Sequence, residues 1–228
     1  ATAQSLLPIV GGALPEPVLM GLEENEQGQL CWQDKLAPWV EKASAIAFGC
    51  GLRAGAQGGQ TLERLLSLRR APLVLDADGV NILAQWPELL DKIGSNCLVT
   101  PHPLEFSRLA GRPVAEIQAN RVEAARRFAE KTGMIVLLKG SRTVVAEPEG
   151  RLFVNCTGNS GLAKGGAGDV LTGMIAGFAA QGTPLFEAAV LVCCLHGACA
   201  DLLALERSVY GVLPSDLVEV LPILMKRL

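Results

Sequence analysis

The stretch Thr157-Gly-Asn-Ser-Gly-Leu-Ala-Lys-Gly-Gly-Ala-Gly-Asp-Val-Leu-Thr-Gly173 decides the fold. Its glycines let backbone amides approach a phosphate closely. The apolar helix that follows presents unpaired N–H groups and the positive end of its dipole to that anion. It is not a Walker A loop, because no Gly-Lys-Ser/Thr follows at the required spacing. Nor is it the dinucleotide fingerprint, which opens as G-x-G-x-x-G directly after a strand. Asp169 stands at the mouth of the loop. It reads either as a charge placed against the helix dipole or as a base taking a proton from a hydroxyl that attacks phosphorus. Small residues at Gly173, Ala176, Gly177 and Ala180 predict a helix packed closely against a neighbour.

Upstream of this loop, short apolar runs alternate with helical patterns. Ala45–Phe48, Pro72–Leu75, Asn96–Thr100 and Met134–Leu138 are nearly continuous in apolar residues, as strands covered on both faces are. Helices are expected near 61–70, 87–92, 103–110 and 114–131. In the last, Val122, Ala125 and Phe128 oppose Arg121, Glu123 and Arg127. Such alternation implies an α/β fold with a mostly parallel sheet and right-handed crossovers. Thr143–Ala146 and Arg151–Val154 flank Pro148-Glu-Gly150 and read as a hairpin. Three helices close the chain, near 168–181, 185–205 and 215–228.

The unusual residues fall directly after the strands. Gly49-Cys-Gly51, Asp76-Ala-Asp78 with Asn81, Pro101-His-Pro-Leu-Glu105 and Lys139-Gly-Ser-Arg-Thr143 follow the four runs in order. In a parallel sheet the carboxyl ends of the strands form the ligand-binding edge. Singly, each has a structural reading: Asp76 or Asn81 can cap a helix, His102 can cap or pack, and Lys139 can be a solvated strand-end charge. Together they favour a site, and the glycine after Lys139 favours phosphate approach.

The chain has 228 residues, half of them apolar and 19% charged, with a formal charge of −3. This suits a buried-sheet enzyme and offers no electrostatic reason to expect nucleic acid or an anionic membrane. Seven cysteines at irregular spacing argue for a reducing cytoplasm over a disulfide framework. Cys193, Cys194, His196 and Cys199 read as a buried helix rather than zinc ligands, since no C-x-x-C pair exists. Ala188–Ala200, bounded by Glu187 and Asp201, is expected to be too short to span a bilayer. No signal peptide is read at the start.

The chain resembles the ADP-dependent NAD(P)H-hydrate dehydratases of the ribokinase-like superfamily. The likeness rests on Leu75-Asp-Ala-Asp78 with Asn81, Thr100-Pro-His-Pro103 with Glu105, Leu138-Lys-Gly-Ser-Arg-Thr143, and Gly158 through Gly173. The glycine–Asp signature alone indicates the superfamily. The histidine and Lys-Gly-x-x-Thr motifs narrow it to the dehydratases.

The resemblance implies a three-layer sandwich and metabolite repair. ADP, or alternatively ATP, would phosphorylate the ring hydroxyl of (6S)-NADHX or (6S)-NADPHX. Elimination of phosphate would return NAD(P)H, with AMP released. By position, Asp169 would be the base and a substrate contact, with Gly51 and His102 also on the substrate. Lys139, Gly140, Ser141, Arg142, Thr143 and Gly168 would hold the nucleotide. Asp78, Asn81, Glu105, Asn159, Gly165 and Gly166 would support the site, and Glu105 would approach Mg2+ through water. A cytoplasmic homo-oligomer, with a tetramer as one form, is implied as well.

Two features depart from the family pattern. Residues 1–228 are expected to form one ribokinase-like domain without the usual first strand–helix segment, and the family's Gly-Pro-Gly-Leu-Gly appears as Gly49-Cys-Gly-Leu-Arg53. The alternatives are a small-molecule kinase for a vitamin or sugar hydroxyl, and a truncated pseudoenzyme that holds nucleotide without turnover.

Overall fold

A computed structural model describes residues 1–226. Its centre is a six-stranded sheet in the sequential order β3 (Ile46–Phe48), β4 (Leu73–Leu75), β5 (Cys97–Val99), β6 (Ile135–Leu138), β7 (Val144–Ala146), β8 (Leu152–Val154). β3 to β6 are parallel, with Ile46 opposite Leu73 and Leu73 opposite Cys97. β7 and β8 are the expected antiparallel hairpin, with Val145 opposite both Leu137 and Phe153. Before it lie α1 (Leu7–Ala13), α2 (Ala37–Lys42) and a separate parallel pair, β1 (Thr2–Ala3) with β2 (Gly21–Leu22).

Sequential strand order has a consequence for the layers. Right-handed crossovers that always step the same way put every connecting helix on one face. α3 (Ala56–Leu68), α4 (Asp78–Gln85), α5 (Leu90–Ile93), α6 (Pro103–Ala110), α7 (Val114–Ala119) and α8 (Arg121–Thr132) provide those connections. Leu73, Leu75, Cys97, Val99, Val136 and Leu138 pack in the core on this side. Alternate residues Val74, Leu98, Ile135, Leu137 and Val145 point the other way, as the pleat requires. The C-terminal helices cover them: α9 (Ala167–Ala180), α10 (Leu185–Arg207) and α11 (Pro214–Met225). Three layers result.

Several expectations change in detail. The helix expected over 114–131 is two, because Asn120 leaves helical geometry and its side chain accepts a hydrogen bond from Glu123 N as a cap. Val122 then points outward, 40% exposed, while Ala125 and Phe128 stay in the core. α3 begins five residues earlier than expected, at Ala56, through Gly58 and Gly59. A Cβ on Gly58 would lie 2.6 Å from Ile82 Cδ1 and one on Gly59 3.0 Å from the Trp86 ring, so close packing against α4 favours glycine inside this helix. α4 is a helix that the apolar spacing does not predict.

The close-packing expectation for α9 is met only in part. Ala176 packs against the core and α9 lies against α10, but Gly173, Gly177 and Ala180 are exposed, and among the described residues a Cβ on either glycine would meet nothing within 4 Å. The apolar stretch at 188–200 is also longer than expected. α10 has 23 residues and by length and composition could cross a bilayer, but over half of its apolar window is buried against the sheet and its neighbours. This marks a core helix.

Candidate functional site

The four polar segments gather at the carboxyl edge of β3 to β6, as the alternation implied. Gly49 (φ 131°) lies so close to the start of α4 that a Cβ would be 1.8 Å from Asp76 O. Three non-glycine residues at this edge adopt positive φ: Arg53 (58°), Ala77 (48°) and Arg142 (57°). Such conformations persist only where surrounding contacts hold them. Arg53 N donates to Asp78 Oδ2 at 2.8 Å, and its guanidinium reaches Gln27 O at 3.2 Å. Arg53 thus occupies a backbone state that suits glycine, the residue the family pattern has there, and its side chain ties the edge to the N-terminal region.

Asp76 lies at the centre, 1% exposed. Lys139 Nζ donates to its Oδ1 at 2.6 Å and Thr172 Oγ1, from α9, donates to its Oδ2 at 2.7 Å. Burial alone would raise the carboxyl pKa. The Lys139 charge and hydrogen bonds from Lys139, Thr172 and Thr100 outweigh it and hold Asp76 below the usual range. The pair therefore places the Lys139 side chain beside the glycine-rich loop. A Cβ on Gly168 would lie 3.4 Å from Lys139 Nζ, so the glycine keeps this approach open.

Asp169 sits in the first turn of α9 and is exposed. Ligand atoms of Asp169, Asp76 and Cys50 lie within 4.8 Å of one another. The Cys50 thiol is pushed up to about 12. Burial is the largest cause, followed by its hydrogen bond to Asp169 and the negative charges of Asp169 and Asp76, with Lys139 pulling the other way. Cys50 retains solvent access on one side, so the crowding is local.

His102 caps α6: its Nδ1 accepts from Leu104 N and Glu105 N, each at 3.2 Å. Glu105 returns the contact by accepting from His102 N at 2.8 Å. The capping reading of His102 is thus realised, while the ring stays half-exposed at the edge. Glu105 is buried, 3.9 Å from Lys139 Nζ and 3.3 Å from His102 Nε2. Its carboxylate is committed to this cap, which fits an approach to Mg2+ through water better than direct ligation. Asn81 and Asp78 form a flanking pair at 3.4 Å, with Arg108 reaching Asn81 Oδ1 at 3.1 Å.

A cavity of about 560 Å³ opens on the other side of Gly168. Lys139 through Thr143 form one wall, the loop Asn155–Ser160 another, and Cys193, His196 and Gly197 of α10 the floor. The loop is held from behind. Asp201 accepts from Gly158 N at 2.8 Å and Asn159 Nδ2 at 2.9 Å, and Thr157 Oγ1 donates to Cys194 O at 3.0 Å. A Cβ on Gly197 would sit 2.2 Å from Thr157 Oγ1. His196 Nε2 lies 3.0 Å from Ala167 O, so it donates and the ring is neutral, its pKa brought down to about 4 by burial. Gly165 and Gly166 are exposed at the loop turn, Gly166 with φ 91° as the N-cap of α9.

All the expected nucleotide residues therefore line one cavity, and Asp169, Cys50 and Asp76 cluster beside its Lys139–Gly168 end. Thr172 and Asp201 are members of the site that the sequence reading does not single out. Asp76 was visible as half of an Asp-Ala-Asp motif, but nothing local distinguishes the buried acid from Asp78. The four-residue Cys/His group of α10 makes no metal cluster among the described residues; the one such cluster is Cys50, Asp76 and Asp169.

A glycine-rich loop opening a helix with an acid in its first turn, on a mostly parallel sheet with an antiparallel hairpin, defines the ribokinase-like class of folds. A family model described as NAD(P)H-hydrate dehydratase matches residues 17–223, and the chain belongs to that family. It is 39% identical over 216 residues to a bifunctional NAD(P)H-hydrate repair enzyme of Moorella thermoacetica, covering 93% of this chain and 41% of that one. It is 42% identical over 193 residues to an ADP-dependent (S)-NAD(P)H-hydrate dehydratase of Neisseria meningitidis, covering 83% and 64%. The chain thus spans less than two thirds of these relatives. The solved ADP/ATP-dependent NAD(P)H-hydrate dehydratase from Bacillus subtilis, co-crystallised with ATP and Mg2+, matches with TM-score 0.79 and 31% identity over 99% of this chain and 76% of that one.

Proposed function

We propose that this chain dehydrates (6S)-NADHX and (6S)-NADPHX to NADH and NADPH, driven by ADP, with AMP and phosphate released. The observation that carries the reading is Asp169 at the open mouth of the α9 anion site. It stands beside the Lys139–Asp76 pair and next to a cavity of nucleotide size.

Asp169 takes the proton of the substrate hydroxyl as that oxygen bonds to the terminal phosphorus of ADP. The bond from phosphorus to the bridging oxygen breaks, and AMP leaves. The ring C–O bond then breaks with loss of phosphate and of a proton from the neighbouring carbon, which restores the reduced nicotinamide. Phosphate is a far better leaving group than hydroxide, so a kinase scaffold serves a dehydration. Lys139 and the amides around Gly140 and Gly168 receive the phosphates. Ser141, Arg142 and Thr143 complete the nucleotide wall, and Gly51 and His102 face the hydrate. Asp78, Asn81, Asn159, Gly165 and Gly166 support the two loops. Glu105 would hold Mg2+ through water, and the ion would supply neutralisation of the developing phosphate charge.

The test is to incubate the protein with NADHX, Mg2+ and either ADP or ATP and follow reduced-nicotinamide absorbance. Nucleotide-dependent recovery is expected, with a loss of at least about a hundredfold in Asp169→Asn, the low end for a positioned general base. A folded, ADP-bound parent that recovers nothing sinks the reading. Release of a phosphorylated product from a vitamin or sugar would favour the kinase instead. We further propose that residues 1–228 act as one cytoplasmic domain in a homo-oligomer; light scattering on the assayed sample showing a monomer would refute the oligomer.

A further inference from the structure

Helical spacing groups Arg121 with the solvent-facing charges of α8. Its side chain turns back beneath the end of β6 instead. Nη2 donates to Leu138 O at 2.8 Å and to Lys139 O at 3.0 Å, and Nη1 donates to Ser141 O at 2.5 Å. Its Nε is buried with no hydrogen-bond partner among the described residues. The guanidinium fork thus spends its donors on the backbone of one segment, Leu138–Ser141.

Peptide planarity gives this contact a direction. In a trans peptide the C=O and the following N–H point opposite ways. Drawing Lys139 O and Ser141 O toward Arg121 turns the N–H groups of Gly140 and Arg142 away from it. Neither N–H donates to any backbone or side-chain acceptor among the described residues. Both residues line the cavity, and both hold positive φ, Gly140 at 147° and Arg142 at 57°. Two free N–H groups from a turn of this kind make an anion nest. A Cβ on Gly140 would come within 2.8 Å of Arg121 Nη2, so the two residues fit as a unit.

We propose that Arg121 is a positioning residue for nucleotide phosphate: it locks the Lys139–Arg142 turn so that the amides of Gly140 and Arg142 face the incoming phosphates. The proposal rests on the nucleotide site of the proposed function but not on its substrate. Arg121 acts through its bonds to the backbone of Leu138, Lys139 and Ser141.

The experiment is calorimetric binding of ADP with Mg2+ to the full chain and to Arg121→Ala, Arg121→Gln and Arg121→Lys, with thermal melts beside it. Loss of a charge-assisted hydrogen bond corresponds to about tenfold or more in affinity, and that weakening is expected for the Ala and Gln variants. Lysine keeps the charge without the fork and is expected to lie between them and the parent. In turnover, the KM for ADP should rise while that for the hydrate stays within about twofold, a split that general destabilisation would not produce. A folded Ala or Gln variant that binds ADP within about twofold of the parent overturns the proposal, whatever its melting temperature. If both fail to fold, the lysine variant decides by the same criterion. Because binding is read without turnover, an inactive parent whose variants lose ADP would retire the dehydratase reading and leave the role of Arg121 standing.

Discussion

At the scale of single residues, the site turns on which acid is buried. Asp76 and Asp78 are two positions apart, yet Asp76 is enclosed by Lys139 and Thr172, while Asp78 is half-buried and receives Arg53 N. Their neighbours come from distant chain segments, so the motif showed a site but not its centre. Cys50 shows the same dependence. Asp169 and Asp76 disfavour a second negative charge beside them, and reaction with iodoacetamide requires the thiolate. With the thiol pushed up to about 12, Cys50 should alkylate far more slowly near neutral pH than a free cysteine. Asp169→Asn removes one of the opposing charges and should accelerate its alkylation, as read by mass spectrometry of the peptide. Equal rates in parent and variant would refute this electrostatic account.

Elements were legible where periodicity is local and hidden where packing overrides it. The four parallel strands and the hairpin follow from continuous apolar runs and a turn, and each lies within a residue or two of its expected bounds. The break at Asn120 and the glycine-bearing start of α3 depend on a cap and on Ile82 and Trp86, which helical spacing cannot express. Glycines in α9 and α10 look alike in sequence but differ in surroundings. Gly177→Ala places a methyl in open space and should stabilise by about 0.5–1 kcal/mol, the helix-propensity difference. Gly197→Ala drives a methyl into Thr157 and should cost about 1–3 kcal/mol while weakening ADP binding, because that loop walls the cavity. Urea unfolding and ADP titration check both; two substitutions of equal effect would refute the packing account.

For the whole molecule, His196 links the C-terminal layer to the glycine-rich loop at the start of α9. Buried at 7% exposure and held neutral down to about pH 4, it binds fewer protons folded than unfolded between about 6.5 and 4. Its stabilising contribution is full above pH 6.5 and is lost as pH falls toward 4, by up to about 3 kcal/mol. His196→Gln cannot titrate and should flatten that part of the stability–pH curve measured by urea unfolding. An unchanged slope would show that the histidine is not held neutral.

The amino-acid sequence by itself determined the β/α alternation, the edge that carries the polar loops and the glycine–Asp loop that opens α9, because periodicity and loop chemistry are written in near neighbours. Only the tertiary structure decided that Asp76 pairs with Lys139, 63 residues away, that Asp201 braces Gly158 and Asn159, and that α9 turns Gly173 and Gly177 outward while Ala176 packs inward. It also decided that Arg121 serves the β6 turn rather than solvent. These contacts join groups brought together by folding, and their partners are selected by the geometry of the packed layers rather than by spacing along the chain.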